Sequence, residues 1–225
     1  MPYTLTVDRH SGREWRRSVA MLCRAQRTVS ERSSATAGSR PLDGLGAPNI
    51  FMHTIGHSTR PINEFIGLLR EHAVETILDV RTVPRSRFNP QFNLDVLPAT
   101  LSEARLQYRQ LPALGGLRKT QADSENTGWR NASFRGYADY MLTVEFQTAV
   151  DELIELARHH RSAIMCAEAV PWRCHRSLIA DALTVRGHHL QHIIGANSSR
   201  PHALTSFARV ENCRITYPSS SSSGA

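Results

Sequence analysis

With 225 residues, 40% of them hydrophobic and 21% charged, the chain is long enough for one medium domain with a real core, and its composition is ordinary for a soluble protein. No apolar run approaches the roughly 20 residues that cross a bilayer, the four cysteines are too unevenly placed for a disulfide framework, and nothing resembles a secretory signal, so no membrane contact and a reducing cytoplasm are expected. The net charge of +7 comes from arginine rather than lysine, which suits planar recognition of phosphates or carboxylates and equally suits a basic solvated surface.

Residues 1–48 are rich in Arg, Ser, Thr and Gly and carry no sustained apolar period, which reads as a basic, disordered extension. Inside it, Trp15, Val19, Leu22 and Cys23 are spaced for a short amphipathic helix that could meet nucleic acid or a partner. A strand is expected over residues 50–55, followed by Gly56-His-Ser-Thr-Arg60 and a helix opened by Pro61, with Ile62, Phe65, Ile66, Leu69 and Ala73 on one face. The next strand, residues 76–80, ends in Asp79-Val-Arg81 and runs into the basic loop that holds Arg85 and Arg87. Pro98 sets the start of the following helix near Leu97, and a short strand at 107–111 leads to Pro112-Ala-Leu-Gly-Gly116.

Residues 117–134 are polar and aperiodic, the pattern of a long functional loop. A helical piece at 137–142 precedes the clearest amphipathic helix, marked by Phe146, Ala149, Val150, Leu153, Ile154 and Ala157. The apolar run 162–167, a helix over 177–183 closed by Gly187 and a strand at 190–194 complete the series. This alternation predicts an α/β fold with a mostly parallel, doubly wound, Rossmann-like sheet and helices on both faces. The single domain is expected to span residues 49–196, with 197–225 as a tail that becomes serine-rich at its end.

Chemistry concentrates in Cys166-Ala-Glu-Ala-Val-Pro-Trp-Arg-Cys-His-Arg176, on a strand-to-helix loop. In an open α/β sheet such loops share the carboxyl edge, where ligands bind and helix N-termini present N–H groups to anions. The fold therefore gathers Gly56, His57, Ser58, Asp79, Arg81, Arg85, Arg87, Gly115, Gly116, Glu168, Arg173, Cys174, His175 and Arg176 at one cationic crevice. Asp79 and Arg81 can alternatively form a structural ion pair beneath the loops.

Residues 51 to about 195 resemble the domain-of-unknown-function 488 family. The residues that carry the resemblance are Thr54-Ile-Gly-His-Ser58, Asp79-Val-Arg81 with Pro84-Arg-Ser-Arg87, Leu114-Gly-Gly116, Phe134-Arg-Gly-Tyr137 and Cys166-Ala-Glu168 through Cys174-His-Arg176. The resemblance implies the fold and the location of the site, and it implies no activity.

Three chemistries fit these residues. Cys174, in cationic surroundings at a helix start, can act as a nucleophile with His175 or His57 as base and Glu168 as the orienting acid, while Cys166 on its strand reads more readily as a buried residue. The crevice then takes an anionic small molecule, phosphorylated or nucleotide-like, through Gly56, Ser58, Asp79, Arg81, Arg85, Arg87, Gly115, Gly116, Arg173 and Arg176. Alternatively the same surface binds nucleic acid without catalysis, with Trp129, Tyr137 and Trp172 as stacking platforms. Cys166, Cys174 and His175 also form a possible zinc-ligand set, although their spacing is unlike that of a zinc ribbon. No Walker A loop or G-x-G-x-x-G is present, so no nucleotide cofactor is identified.

Overall fold

The computed structural model describes residues 49–219; the extension expected at 1–48, with its candidate helix, lies outside the described residues. In chain order the elements are β1 (Phe51–Gly56), α1 (Ile62–Glu71), β2 (Thr76–Asp79), α2 (Leu97–Glu103), β3 (Gln107–Gln110), α3 (Ala132–Tyr140), α4 (Val144–His159), β4 (Ser162–Cys166), α5 (Arg176–Val185), β5 (His189–Gly195), β6 (Ser198–Pro201), β7 (Arg209–Glu211) and β8 (Arg214–Thr216). Local chemistry sets several of the ends. Pro61 stands just before α1, Asn131 accepts the amides of Ser133 and Phe134 at the start of α3, and Thr143 caps α4 through Phe146 N. Gly187, at φ +88°, takes the left-handed turn that ends α5.

The main sheet has the order β3-β2-β4-β1-β5-β6, and every pairing in it is parallel except β5 with β6. Side-chain alternation divides its two faces. Ile55, Ile77, Ala163, Met165 and Ile193 pack with Phe65, Leu69, Leu97 and Leu101 of α1 and α2. Met52, Leu78, Ile164, Cys166 and Leu190 pack with Tyr137, Phe146, Leu153, Leu178 and Leu183 of α3, α4 and α5. The sheet is thus doubly wound, as the alternation of strand and helix predicts. Among the described residues no helix is long and apolar enough to cross a membrane.

Register fixes the functional edge. Gly56 pairs with Cys166 and Asp79 with Met165, so the carboxyl ends of β1, β2 and β4 lie side by side. Pairing continues past the strands, since His57 N donates to Cys166 O at 3.0 Å and Ser58 N to Ala167 O at 2.8 Å. The chain then leaves the neighbouring strands β1 and β4 for opposite faces, toward α1 and α5. That divergence opens a crevice at a sheet's carboxyl edge.

One boundary differs from that expected from composition. Residues 198–217, expected in a tail, belong to the domain: β6 extends the main sheet, β7 and β8 form a hairpin, and Tyr217 is fully buried. The anchor is Asp181 on α5, whose buried carboxylate accepts from His202 Nε2 (2.8 Å), Thr205 N (3.0 Å), Thr205 Oγ1 (2.7 Å) and Tyr217 Oη (2.8 Å). The loop expected at 117–134 ends at Asn131, where α3 begins five residues before the helical piece expected at 137–142, and it is held by the same segment, because Asn126 Oδ1 accepts Tyr217 N and Gly128 N donates to Tyr217 O. A chain truncated after residue 196 would leave β5 as an open edge and Asp181 without its donors. It is expected to lose cooperative unfolding in a circular-dichroism melt, and an unchanged melt would instead place the end of the domain at 196.

Candidate functional site

Asp79 and Arg81 form the floor of the edge. Asp79 is fully buried and accepts Arg81 Nε at 2.9 Å, Arg81 Nη2 at 2.6 Å, Arg81 N at 3.0 Å and Tyr108 Oη at 2.7 Å. Arg81 directs its remaining donors to Phe92 O (2.8 Å) and His57 Nε2 (3.2 Å). This is the structural ion pair, with every guanidinium nitrogen engaged inside the protein. Tyr108, which sequence reasoning missed, is the third member, and burial together with Asp79 holds its hydroxyl pKa above the ordinary range. Arg81→Ala would strand the Asp79 carboxylate without its partner. The expected loss is about 3–5 kcal/mol of stability, read by denaturant titration, and a loss within the scatter of surface substitutions would remove the pair from the floor.

His57 is bound from both sides. A carbonyl only accepts, so the 2.8 Å contact with Ser58 O places the proton on Nδ1, and Nε2 accepts from Arg81. The ring also stacks on Phe92 at 4.2 Å. Burial pushes its pKa down to about 4. Neutral, and with both nitrogens used, His57 positions the floor and has no free atom with which to act as the base for Cys174. His53, His188 and His192 are likewise lowered to about 4, burial being the largest cause for each. Between about pH 6.5 and 4 the unfolded chain therefore binds more protons than the folded one. Stability should be full above that window and fall as the pH drops through it, seen as a declining urea midpoint; a midpoint flat from pH 7 to 4.5 would contradict buried neutral histidines.

The loop after β4 builds the reactive part. A 3-10 turn at Pro171–Arg173 folds it back, after which Cys174 is extended (φ −138°, ψ 144°) and His175 helical (φ −57°, ψ −17°). That change of backbone lets two adjacent side chains converge. His175 Nδ1 lies 3.8 Å from Cys166 Sγ and 3.7 Å from Cys174 Sγ, and its Nε2 sits 3.1 Å from Val80 O. Cys166 and Cys174 are free thiols, 6% and 3% exposed. The thiol of Cys166, hydrogen-bonded to the Cys174 sulfur, has its pKa raised by that bond and by burial. The pKa of Cys174 is lowered, first by the same bond and then by Arg176, against the cost of burial. Arg176 N also donates to Cys174 Sγ at 3.5 Å.

Several expected ligand groups instead hold the edge together. Arg176 is only 1% exposed and donates to Glu168 O (2.5 Å) and Ala169 O (2.9 Å), securing the loop from below. A Cβ on Gly56 would fall 1.8 Å from Glu168 O, so glycine is what lets the two loops close. A Cβ on Gly115 would fall 2.2 Å from Thr82 Oγ1, and one on Gly116 would fall 2.5 Å from His175 Nδ1. Ser58 adopts φ 52° where its amide meets Ala167 O. The first amides of α5 are likewise committed, Ser177 N to Cys174 O and Leu178 N to His175 O, so this helix start offers no open row of N–H groups. Arg85, Arg87, Glu168 and Arg173 remain exposed, without an ion pair among the described residues.

Of the proposed stacking residues, Tyr137 is buried against His175 at 5.0 Å and donates to Leu114 O, so it is core. Trp129 packs on Phe134, Phe207 and Tyr217. Trp172 is 61% exposed. A cavity of about 380 Å³ lies beside it, lined by Pro171, Trp172, Ser177, His192, His202 and neighbouring residues, and none of Cys166, Cys174 and His175 faces it. Behind this cavity runs a chain that the sequence did not reveal, Asp181 to His202 to His192 to Thr54, linked at 2.8, 2.9 and 2.7 Å. Its residues come from three separate elements, β1, β5 and α5, and from the loop after β6, where His202 falls in the stretch expected to be a tail.

Fold and site together define an α/β protein of Rossmann-like architecture with two buried cysteines and a half-buried histidine clustered at the carboxyl edge of its sheet. The family described as Domain of unknown function DUF488 matches residues 61–183, more than half of the chain, and the chain belongs to it. The match includes Asp79, Arg81, Gly115, Gly116 and the whole of 166–176, and begins after Gly56-His-Ser58. No curated protein and no solved structure matches the chain.

Proposed function

We propose that the protein is an enzyme acting on an anionic substrate, phosphorylated or nucleotide-like, at the carboxyl edge of the sheet. Its reactive centre is the cluster of Cys166, Cys174 and His175. The observation that carries this reading is the convergence of those three ligating or nucleophilic atoms, all within 4.8 Å of one another, beside loops whose exposed arginines form no ion pair among the described residues. A dedicated packing core has no need of an imidazole nitrogen turned toward two thiols. Arg85, Arg87 and Arg173 supply the substrate's counter-charge, since Arg81 and Arg176 are committed to the fold, and Glu168 is the exposed acid available to orient an arginine or the substrate. A reducing cytoplasm would keep both thiols free, as the chemistry needs.

One observation favours a second reading, a nucleic-acid-binding module without catalysis. Phe88 is 91% exposed on the same loop as Arg85 and Arg87, an aromatic platform beside phosphate-pairing cations. Inorganic phosphate, a mononucleotide and a short single-stranded oligonucleotide, each tested by thermal shift, separate the two. The enzyme reading expects phosphate and nucleotide to raise the melting temperature, less so as salt rises, with the effect lost in the Arg85→Ala/Arg173→Ala double variant. Binding confined to the oligonucleotide and abolished by Phe88→Ala would establish the binding module, and no shift with any of the three would remove both readings.

A further inference from the structure

We propose that Cys166, Cys174 and His175 hold one thiophilic divalent cation, zinc being the best chemical match, with one coordination position left open. The inference takes from the proposed function only that this cluster is the centre. Geometry supports it in three ways.

The first is the state of the imidazole. Val80 O can only accept, so the 3.1 Å contact places the proton on His175 Nε2 and leaves the Nδ1 lone pair directed at the sulfurs. A metal-ligating histidine is oriented in this way, by donation from its other nitrogen to a carbonyl or carboxylate. The second is distance. A nucleophile and its base form a pair, yet Nδ1 stands almost equally far from both sulfurs, at 3.7 and 3.8 Å. A tetrahedral ion with bonds of about 2.3 Å to sulfur and about 2.0–2.1 Å to nitrogen separates those ligands by roughly 3.5–3.6 Å. Each nitrogen–sulfur separation therefore needs to close by only a few tenths of an ångström, and the two sulfurs already lie within 4.8 Å of each other.

The third is the hold on the ring. A Cβ on Gly116 would lie 2.5 Å from Nδ1 and 2.9 Å from both of its ring neighbours, over the face of the imidazole, so glycine lets the loop lie flat against His175 and keep Nδ1 turned toward the sulfurs. The donor set is also selective: two thiolates and an imidazole suit zinc and disfavour magnesium or calcium, which prefer oxygen. Each thiol that binds gives its proton to solvent, so two thiolates and a dication make a neutral centre above the Arg176 guanidinium. Three protein ligands leave a position for water or a substrate oxygen, the composition of an open site rather than a closed structural one.

The test uses the full chain, reduced, stripped with chelator and titrated with Zn²⁺ or Co²⁺. One ion per chain is expected, cobalt giving a near-ultraviolet thiolate charge-transfer band that zinc abolishes. Cys166→Ser and Cys174→Ser should each weaken binding by about 100-fold or more, since loss of an outer-shell partner alone costs about 10–100-fold. Because either variant could misfold, alkylation of the unaltered protein provides an independent reading. Zinc should protect Cys166 and Cys174 together, identified by peptide mass, and chelator should expose both. Absence of the band, a band that survives both substitutions in folded protein, or labelling that ignores zinc would each overturn the site. If the band forms while phosphate and nucleotide fail to shift the loaded protein's melting temperature, the metal site stands and the anionic-substrate reading falls. Phosphate binding without metal uptake would overturn the metal site and leave the anionic-substrate reading standing.

Discussion

The carboxyl edge depends on one buried interaction, the Asp79–Arg81 pair. A carboxylate with no solvent exposure persists only when its charge and lone pairs are answered locally, and here four donors from Arg81 and Tyr108 answer it. The guanidinium then uses its outward donors on Phe92 O and His57 Nε2, which ties the loop after β2 to the loop after β1. Tyr108 brings in β3. Three strand ends are thereby held around one charge pair, and the residue just past β2, Val80, offers its carbonyl to His175.

Above that floor, the cluster is positioned mostly by backbone. Pairing of His57 and Ser58 with residues 166 and 167 fixes where β4 ends, and the 3-10 turn at Pro171–Arg173 returns the chain so that Cys174 meets Cys166. Arg176 then secures the returning loop through two of its carbonyls. Gly56 and Gly116 serve close approach, in one case of two loops and in the other of a loop and an imidazole. Charge at this site is layered: the buried arginines are structural, and the exposed ones form no ion pair among the described residues.

The C-terminal segment illustrates how a short polar run becomes structural through a single acceptor. Asp181, inside α5, is satisfied by three residues from 202–217 rather than by its own helix. Those hydrogen bonds draw β6 onto the sheet and lay Tyr217 against Trp129 and Phe207. The long loop that precedes α3 is closed by the same segment.

The sequence by itself determined the alternation of strand and helix from 50 to 195, because apolar periods of two and near 3.6 register local burial and need no knowledge of partners. It located the Cys166–Arg176 loop for the same reason: a strand run, a proline and a helical period follow one another within about twenty residues. Only the tertiary structure decided which arginines are committed to the fold. Arg81 and Arg176 look no different from Arg85 and Arg173 in a string of letters, and their burial follows from strand register and loop return. It also decided that His57 is occupied and His175 is turned toward two sulfurs, since hydrogen-bond partners 24 and 95 residues away set each ring. The end of the domain was hidden likewise. Residues 198–217 have little apolar period of their own, and they are ordered by donors that meet an acceptor on a distant helix, a pairing that spacing along the chain does not encode.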